Sequence, residues 1–431
     1  MADSVTRTAT SKARRLRRLV AAGLTCSQMR KMVILGAGAS RACPNNHPNL
    51  PMPLLRDLPD VLRRFNPESS WHWFGQNLDR LLALTGGDIE VFLTLLYRLN
   101  ECFFVPRGQY ALDLKFLDQI LASSALPEFF TVPLDARQAT AILQLLRTLA
   151  AEDGAAITSF SPQNFFTLFR GALRDYFNAS FQRYPCPLHF HLFETLERFD
   201  CVVSFNYDHI ADYSLHSAGK LTQLSFEGLG FTEVWLPQQW AGASVPLTVR
   251  LPRFVNDRLN CVKFLKVHGS FNWFCRMQEG EQARRDDWTY SVGPAPHLSQ
   301  SALGGPEVRY CLGVPDPGPD MTNWTPSPVI LPFLTKDFIY RENAMFARHL
   351  AAFQHELRAA DEIYIVGKNF QNSDQELNGM IRYATYGERD RTLHIIDPSP
   401  GPEFEPFHCS LFNARLGRRY TSFEEYARVS H

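Results

Sequence analysis

Three residues stand just past short apolar runs, where they could act together in one cleft. Asn206 and Asp208 lie in Ser204-Phe-Asn-Tyr-Asp208, after the run Cys201-Val-Val-Ser-Phe205, and His268 follows Val262-Lys-Phe-Leu-Lys-Val267. An imidazole titrates near neutral pH and can serve as a weak base, and a turn after a buried strand aims it into a cleft. A carboxamide both donates and accepts, so Asn206 can hold a hydroxyl or a water. A third stretch, Met32-Val-Ile-Leu-Gly-Ala-Gly-Ala-Ser40, suits a buried strand, a tight turn and the start of a helix. Gly36 and Gly38 let the backbone turn sharply and let an anion approach main-chain N–H groups at a helix N-terminus. A phosphate-bearing ligand is therefore expected there. The full dinucleotide fingerprint wants a further Gly or Ala where this chain has Arg41.

The elements that must position these residues are short apolar strands over 32–35, 201–205, 262–267, 362–366 and 393–396. Each ends in a polar or glycine-bearing turn: Gly36-Ala-Gly38, Asn206-Tyr-Asp208, His268-Gly-Ser270, Gly367-Lys-Asn369 and Asp397-Pro398. That pattern predicts an α/β fold, a doubly wound, Rossmann-like parallel sheet of about six strands, with functional residues at the carboxyl ends. Helical spacing is found over 57–65, 78–84, 139–149 and 165–177, and Gly86-Gly-Asp88 caps a helix that begins at Ile89. Residues 94–196 read as a helical insertion in a domain covering 31–431. Residues 276–324 lack periodicity and read as an irregular excursion. The proline-rich stretch Asn45–Pro53 is either a lid over the ligand or a surface connection.

Composition narrows the function classes. Lys+Arg and Asp+Glu number 44 each, so the chain as a whole is not a polyanion-binding cation and direct nucleic-acid binding is not expected. No apolar run approaches the roughly 20 residues of a membrane span, which predicts a soluble, cytoplasmic protein away from membranes. The nine cysteines are scattered with no Cys-x-x-Cys pair, so neither a disulfide framework nor a zinc module is expected, and no metal. Residues 1–30 form a basic extension; the first 31 residues hold eight Lys and Arg against the single acid Asp3. That bias fits a transit peptide, an assembly segment, or a start placed upstream of Met29 or Met32.

Taken in order, Gly36-Ala-Gly-Ala-Ser40, Ser204-Phe-Asn-Tyr-Asp208, Lys266-Val-His-Gly-Ser-Phe-Asn-Trp273 and Ile363-Tyr-Ile-Val-Gly367 resemble the sirtuin-like domain of bacterial NAD hydrolases, effectors of anti-phage defence. Asp88-Ile-Glu90 and Leu334-Thr-Lys336 resemble further stretches of that group, and the resemblance covers roughly residues 32–400. It implies cleavage of NAD, as substrate, to nicotinamide and ADP-ribose. Asn206 would hold a ribose hydroxyl or the attacking water, His268 would act as base, and Asp208 would line the nicotinamide pocket. Gly36, Ala37, Gly38, Ala39 and Ser40 would meet the pyrophosphate, and Gly367, Lys368, Asn369 and Asp397 would supply the remaining contacts.

The departures from that group are informative. Protein-deacetylating sirtuins carry paired Cys-x-x-Cys motifs after the histidine, whereas Cys275 and Cys311 stand alone here, which favours water as nucleophile. Gly367-Lys-Asn369 replaces the sirtuin Gly-Thr-Ser. Asp397 replaces an asparagine and, by accepting from both adenosine ribose hydroxyls, would favour NAD over NADP. An ADP-ribosyltransferase or deacylase on the same scaffold, and a non-catalytic NAD- or ADP-ribose-binding subunit, remain open alternatives. The resemblance further implies an activity held off until triggered, homo-oligomers, and a separate sensor such as a HerA-type ATPase or an Argonaute-type protein.

Overall fold

The structure is a computed structural model that describes residues 29–64, 79–80, 82–83, 86–98, 103–104, 111–112, scattered positions in 115–147, and then 162–180, 185–231, 233–240, 243–250, 262–276, 307–312, 325–326, 344–370, 375–387, 389–398 and 401–429. The basic extension, Leu334-Thr-Lys336 and the helix expected over 139–149 lie largely or wholly outside the described residues.

Up to residue 250 the described chain holds, besides two-residue strands at Phe103–Phe104 and Ala111–Leu112, four strands and six α-helices. They are β1 (Lys31–Leu35), α1 (Ala37–Arg41), α2 (Leu58–Arg64), α3 (Ile89–Arg98), α4 (Pro162–Ser180), α5 (Pro187–Glu194), β2 (Cys201–Ser204), α6 (Ile210–Ser217), β3 (Glu233–Trp240) and β4 (Ala243–Arg250). The chain continues through β5 (Lys263–Lys266), β6 (Trp273–Arg276), β7 (Glu307–Cys311), α7 (Ala344–Ala359), β8 (Glu362–Val366), α8 (Gln375–Thr385), β9 (Thr392–Ile396), α9 (Phe404–Phe412), β10 (Arg415–Tyr420) and α10 (Phe423–Val429).

Six of these strands make one sheet in the order β10-β9-β8-β1-β2-β5, and every pair is parallel. Counting only its members along the chain, the order is 3-2-1-4-5-6, that of the Rossmann fold, with the reversal between β1 and β8. The expected α/β class is therefore what the chain adopts. The central strands carry the core: Met32, Val33, Ile34, Leu35, Val202 and Ile363 are each at most 1% exposed. Both faces of a parallel sheet are covered by helices, which explains why these strands read as unbroken apolar runs.

The sequence reading needs three corrections. The excursion assigned to 276–324 contains strand β7 and joins a second, five-stranded sheet whose order is 325–326, β6, β7, β3, β4. The β3–β4 hairpin was not foreseen because each strand contains a proline, Pro237 and Pro246, paired directly across the ladder; proline ordinarily argues against a strand interior. The edge strand β10, Arg-Leu-Gly-Arg-Arg-Tyr, was also missed, since five of its six residues are exposed. Charge on an edge strand discourages pairing with another chain and erases the apolar signal.

Candidate functional site

A cleft of about 320 Å³ opens at the carboxyl ends of β1, β2, β5 and β8, at the topological switch point. Ser40, Asn206, Asp208, His268, Lys368 and Asn369 all line it, as do Ala37 and Gly367. Residues up to 332 positions apart in sequence thus converge on one cavity, whose size sits at the low end of the roughly 300–1,000 Å³ of ligand pockets.

Main-chain bonds place the strand-end turns. Each continues the ladder by one step: Phe205 N–H donates to Leu35 O at 2.9 Å, Val267 N–H to Ser204 O at 3.1 Å, and Gly36 N–H to Val366 O at 2.9 Å. Below them lies a charged layer with no access to solvent. Lys266 Nζ lies 2.9 Å from Asp212 Oδ2 and donates to the Asp208 carbonyl, and Asn272 Nδ2 donates to Asp212 Oδ1 at 2.9 Å. Lys266 is 1% exposed and Asp212 0%. Two residues before His268, this lysine ties β5 to the turn that carries Asn206 and Asp208. Sequence reading missed the pair, because nothing in the local sequence joins Lys266 to Asp212, 54 positions away on α6.

The glycine turn does not serve as expected. Gly38 N–H donates to Gly367 O at 3.1 Å, so with Gly36 both glycine amides are committed to the β8 turn. A Cβ on Gly36 would overlap the Gly367 carbonyl oxygen and lie 2.6 Å from Lys368 Cα, and one on Gly38 would lie 2.8 Å from Gly367 Cα. Gly367 itself has φ +58°. The three glycines are required because two strand-end turns touch backbone to backbone. Ala37 and Ser40 line the cavity, and Gly36, Gly38 and Ala39 do not.

Asn206 is the residue this arrangement fixes most closely. Its Nδ2 donates to Gly36 O at 2.9 Å and to Ser40 Oγ at 2.9 Å. Both amide hydrogens are thereby used, so what the side chain has left to offer is Oδ1, as an acceptor. Sequence alone allowed donation and acceptance; the geometry leaves acceptance. Ser40 Oγ in turn donates to Asp208 Oδ2 at 2.7 Å, while Asp208 Oδ1 accepts the Ile210 N–H at 2.9 Å at the start of α6. Asp208 lines the cavity, but both its oxygens already hold protein donors.

His268, 7% exposed, packs edge-on against Phe205 at 5.1 Å between centroids and lies near Tyr207 at 6.3 Å. Gly269, at φ +81°, makes the turn that follows it. Lys368 Nζ lies 4.8 Å from the Phe205 ring centre and 5.1 Å from that of Phe370, within cation–π range. Asp397 is not brought into the cavity; its N–H continues the ladder to Tyr420 O at 3.2 Å. The residue on which a preference for NAD over NADP rested therefore does not reach the cleft.

The proline-rich stretch is a wall. His47 N–H donates to Ser180 O, Asn45 Nδ2 to Pro185 O at 3.0 Å, Tyr176 Oη to Pro51 O at 3.0 Å and Arg41 Nη1 to Met52 O at 2.8 Å. These ties hold Met52 and Pro53 against the cavity. Glu90, on α3, also lines it and is 7% exposed.

The fold and this cavity define a Rossmann-like α/β protein with a ligand-sized cleft at its switch point. No family model matches the chain, and no curated protein matches it. Among the described residues, no group of three or more His, Cys, Asp or Glu is placed to hold a metal ion, and no helix is long and apolar enough to cross a membrane. Cys43, Cys186, Cys201 and Cys409 are free thiols, the first three of them buried.

Proposed function

We propose that the protein hydrolyses NAD to nicotinamide and ADP-ribose. One observation supports this above all: Asn206, with both amide hydrogens committed and only its Oδ1 left to accept, lines the same cleft as His268, at the switch point of a 3-2-1-4-5-6 sheet. Breaking the bond from ribose C1′ to the ring nitrogen sends the electron pair to the ring, which leaves as neutral nicotinamide. The sugar passes through an oxocarbenium-like state. Water then adds to C1′ and loses a proton to His268, giving NAD⁺ + H₂O → nicotinamide + ADP-ribose + H⁺. Asn206 Oδ1 accepts from a ribose hydroxyl or from that water, fixing its orientation. Orientation of this kind and a base near neutral pH, the latter worth about 10²–10⁴-fold, are what such a site contributes.

In this reading Lys368 supplies the positive charge for the pyrophosphate, since the glycine amides face the β8 turn. The protein would act as an effector of anti-phage defence, depleting NAD when triggered through self-assembly or a separate sensor of the HerA or Argonaute type. The nucleophile is tested by running the reaction in ¹⁸O-water. One labelled oxygen per ADP-ribose marks hydrolysis. Label-free ADP-ribose attached to protein would mark a transferase instead.

A further inference from the structure

The cysteines take no part in the reaction proposed above, yet two of them meet. Cys43 follows α1 and Cys186 precedes α5, and Asn45 Nδ2, donating to Pro185 O at 3.0 Å, ties the two stretches together. Cys43 Sγ–H donates to the Cys186 sulfur. On its other side Cys186 Sγ lies 3.1 Å from His189 Nδ1. His189 is buried, and its Nε2 has no hydrogen-bond partner among the described residues. A lone pair left there costs less than an unmet N–H, so the hydrogen sits on Nδ1 and donates to the sulfur. Cys186 is also the N-cap of α5, where the helix dipole favours negative charge. Burial by itself raises the Cys186 pKa, but the bond from Cys43 and the neighbouring His189 outweigh it and bring it down to about 5. The same bond, together with burial, pushes the Cys43 pKa up, so the proton shared by the two sulfurs rests on Cys43.

We infer that Cys43 and Cys186 form a redox-active dithiol, which a small oxidant of the peroxide class converts to a reversible disulfide. The Cys186 thiolate attacks one peroxide oxygen and the O–O bond breaks, which leaves a sulfenic acid on the sulfur while the departing hydroxide takes up a proton and becomes water. Cys43 then attacks the Cys186 sulfur and passes its proton to the leaving hydroxyl, and the S–O bond breaks to release a second water. Two thiols are oxidised by two electrons and the peroxide is reduced: 2 RSH + H₂O₂ → RSSR + 2 H₂O. Cys186 is 0% exposed and Cys43 3%, so the oxidant has to be small enough to enter through local opening. The bridge joins the end of α1, which carries Ser40, to the start of α5, where the Cys186 N–H donates to Ser214 Oγ on α6 at 3.2 Å.

The test treats the folded full-length chain with hydrogen peroxide, blocks the remaining thiols under denaturing conditions, and maps the peptides by mass spectrometry. The expected product is a pair of peptides joined through Cys43 and Cys186, lighter by two hydrogens and parted by dithiothreitol. Cys43→Ser should stop at the sulfenic acid on Cys186, captured by dimedone, whereas Cys186→Ser should leave Cys43 reduced. The reverse asymmetry, or no sulfenic acid in either folded variant, overturns the inference. Wild type decides the matter by itself where a variant fails to fold: no bridge between these two cysteines after peroxide, or one that forms only in the unfolded chain, also overturns it. Glutathione disulfide should form the bridge at least about tenfold more slowly than peroxide at equal concentration, because the pair is buried; equal rates overturn the assignment of a small oxidant.

Discussion

Replacing Lys266 by methionine tests whether the buried charged layer holds the site together. Lys266 Nζ and Asp212 Oδ2 are 2.9 Å apart with 1% and 0% of the side chains exposed. At an effective dielectric of about 20, unit charges about 3 Å apart attract by roughly 6 kcal/mol, and much of that is offset by the cost of removing both from water. The methionine variant leaves the second charge buried without its partner, which costs about 3–5 kcal/mol. Asn272 still donates to Asp212 Oδ1 at 2.9 Å, so the lower end of that range, about 3 kcal/mol, is expected. Loss of the bond from Nζ to the Asp208 carbonyl also loosens the Asn206 turn. Urea unfolding followed by tryptophan fluorescence measures the effect. The double variant Lys266→Met/Asp212→Leu removes both charges, and it should be more stable than the sum of the single losses by about 1–3 kcal/mol. A single variant within about 0.5 kcal/mol of wild type, or strict additivity in the cycle, refutes the reasoning.

Three further outcomes are expected. Ser40→Ala removes the acceptor for Asn206 Nδ2 and the donor to Asp208, so turnover should fall by about 10–100-fold, equivalent to roughly 1.5–3 kcal/mol, with little change in KM; steady-state kinetics reads it, and an unchanged kcat counts against it. Gly367→Ala puts a Cβ 2.5 Å from Ala39 N at φ +58°, and should cost about 2–5 kcal/mol from overpacking and backbone strain together, measured as a lowered urea midpoint. Burial, then the charge of Lys266, lowers the His209 pKa to about 4, and burial, then Lys263, lowers that of His349 to about 3. Unfolded histidine takes up its proton near pH 6.5 while these folded ones stay neutral, so stability should fall as pH drops from about 6.5 towards 4, by about 1.4 kcal/mol per unit for each group; His349→Gln should flatten the decline, and a stability equal at pH 7 and pH 5 contradicts it.

How much of this was legible in the sequence follows from what each element must bury. The strands β1, β2, β5, β8 and β9 announced themselves because a strand covered on both faces must be apolar throughout. Strand β10, charged at the sheet edge, carried no such mark, and the prolines of β3 and β4 pointed away from strands they occupy. At the site, Asn206, His268, Asp208 and Lys368 could be singled out because a parallel sheet puts its turns at one edge. What their side chains do there could not. The acceptor role of Asn206 depends on Gly36 and Ser40, 170 and 166 positions away. The two glycines were read as an anion cradle because nothing in the local sequence shows that Gly367 would be packed against them. Glu90 stood in a stretch already noted, but only the fold brings α3 to the cleft.

The central claim is tested most directly by incubating NAD with purified wild type, Asn206→Ala and His268→Ala, each shown to be folded, and separating the products by chromatography. The account predicts nicotinamide and ADP-ribose in equal amounts from wild type, and rates lower by at least about 100-fold in both variants. Wild-type rates in either variant, or a wild type for which calorimetry detects no NAD binding, would contradict it.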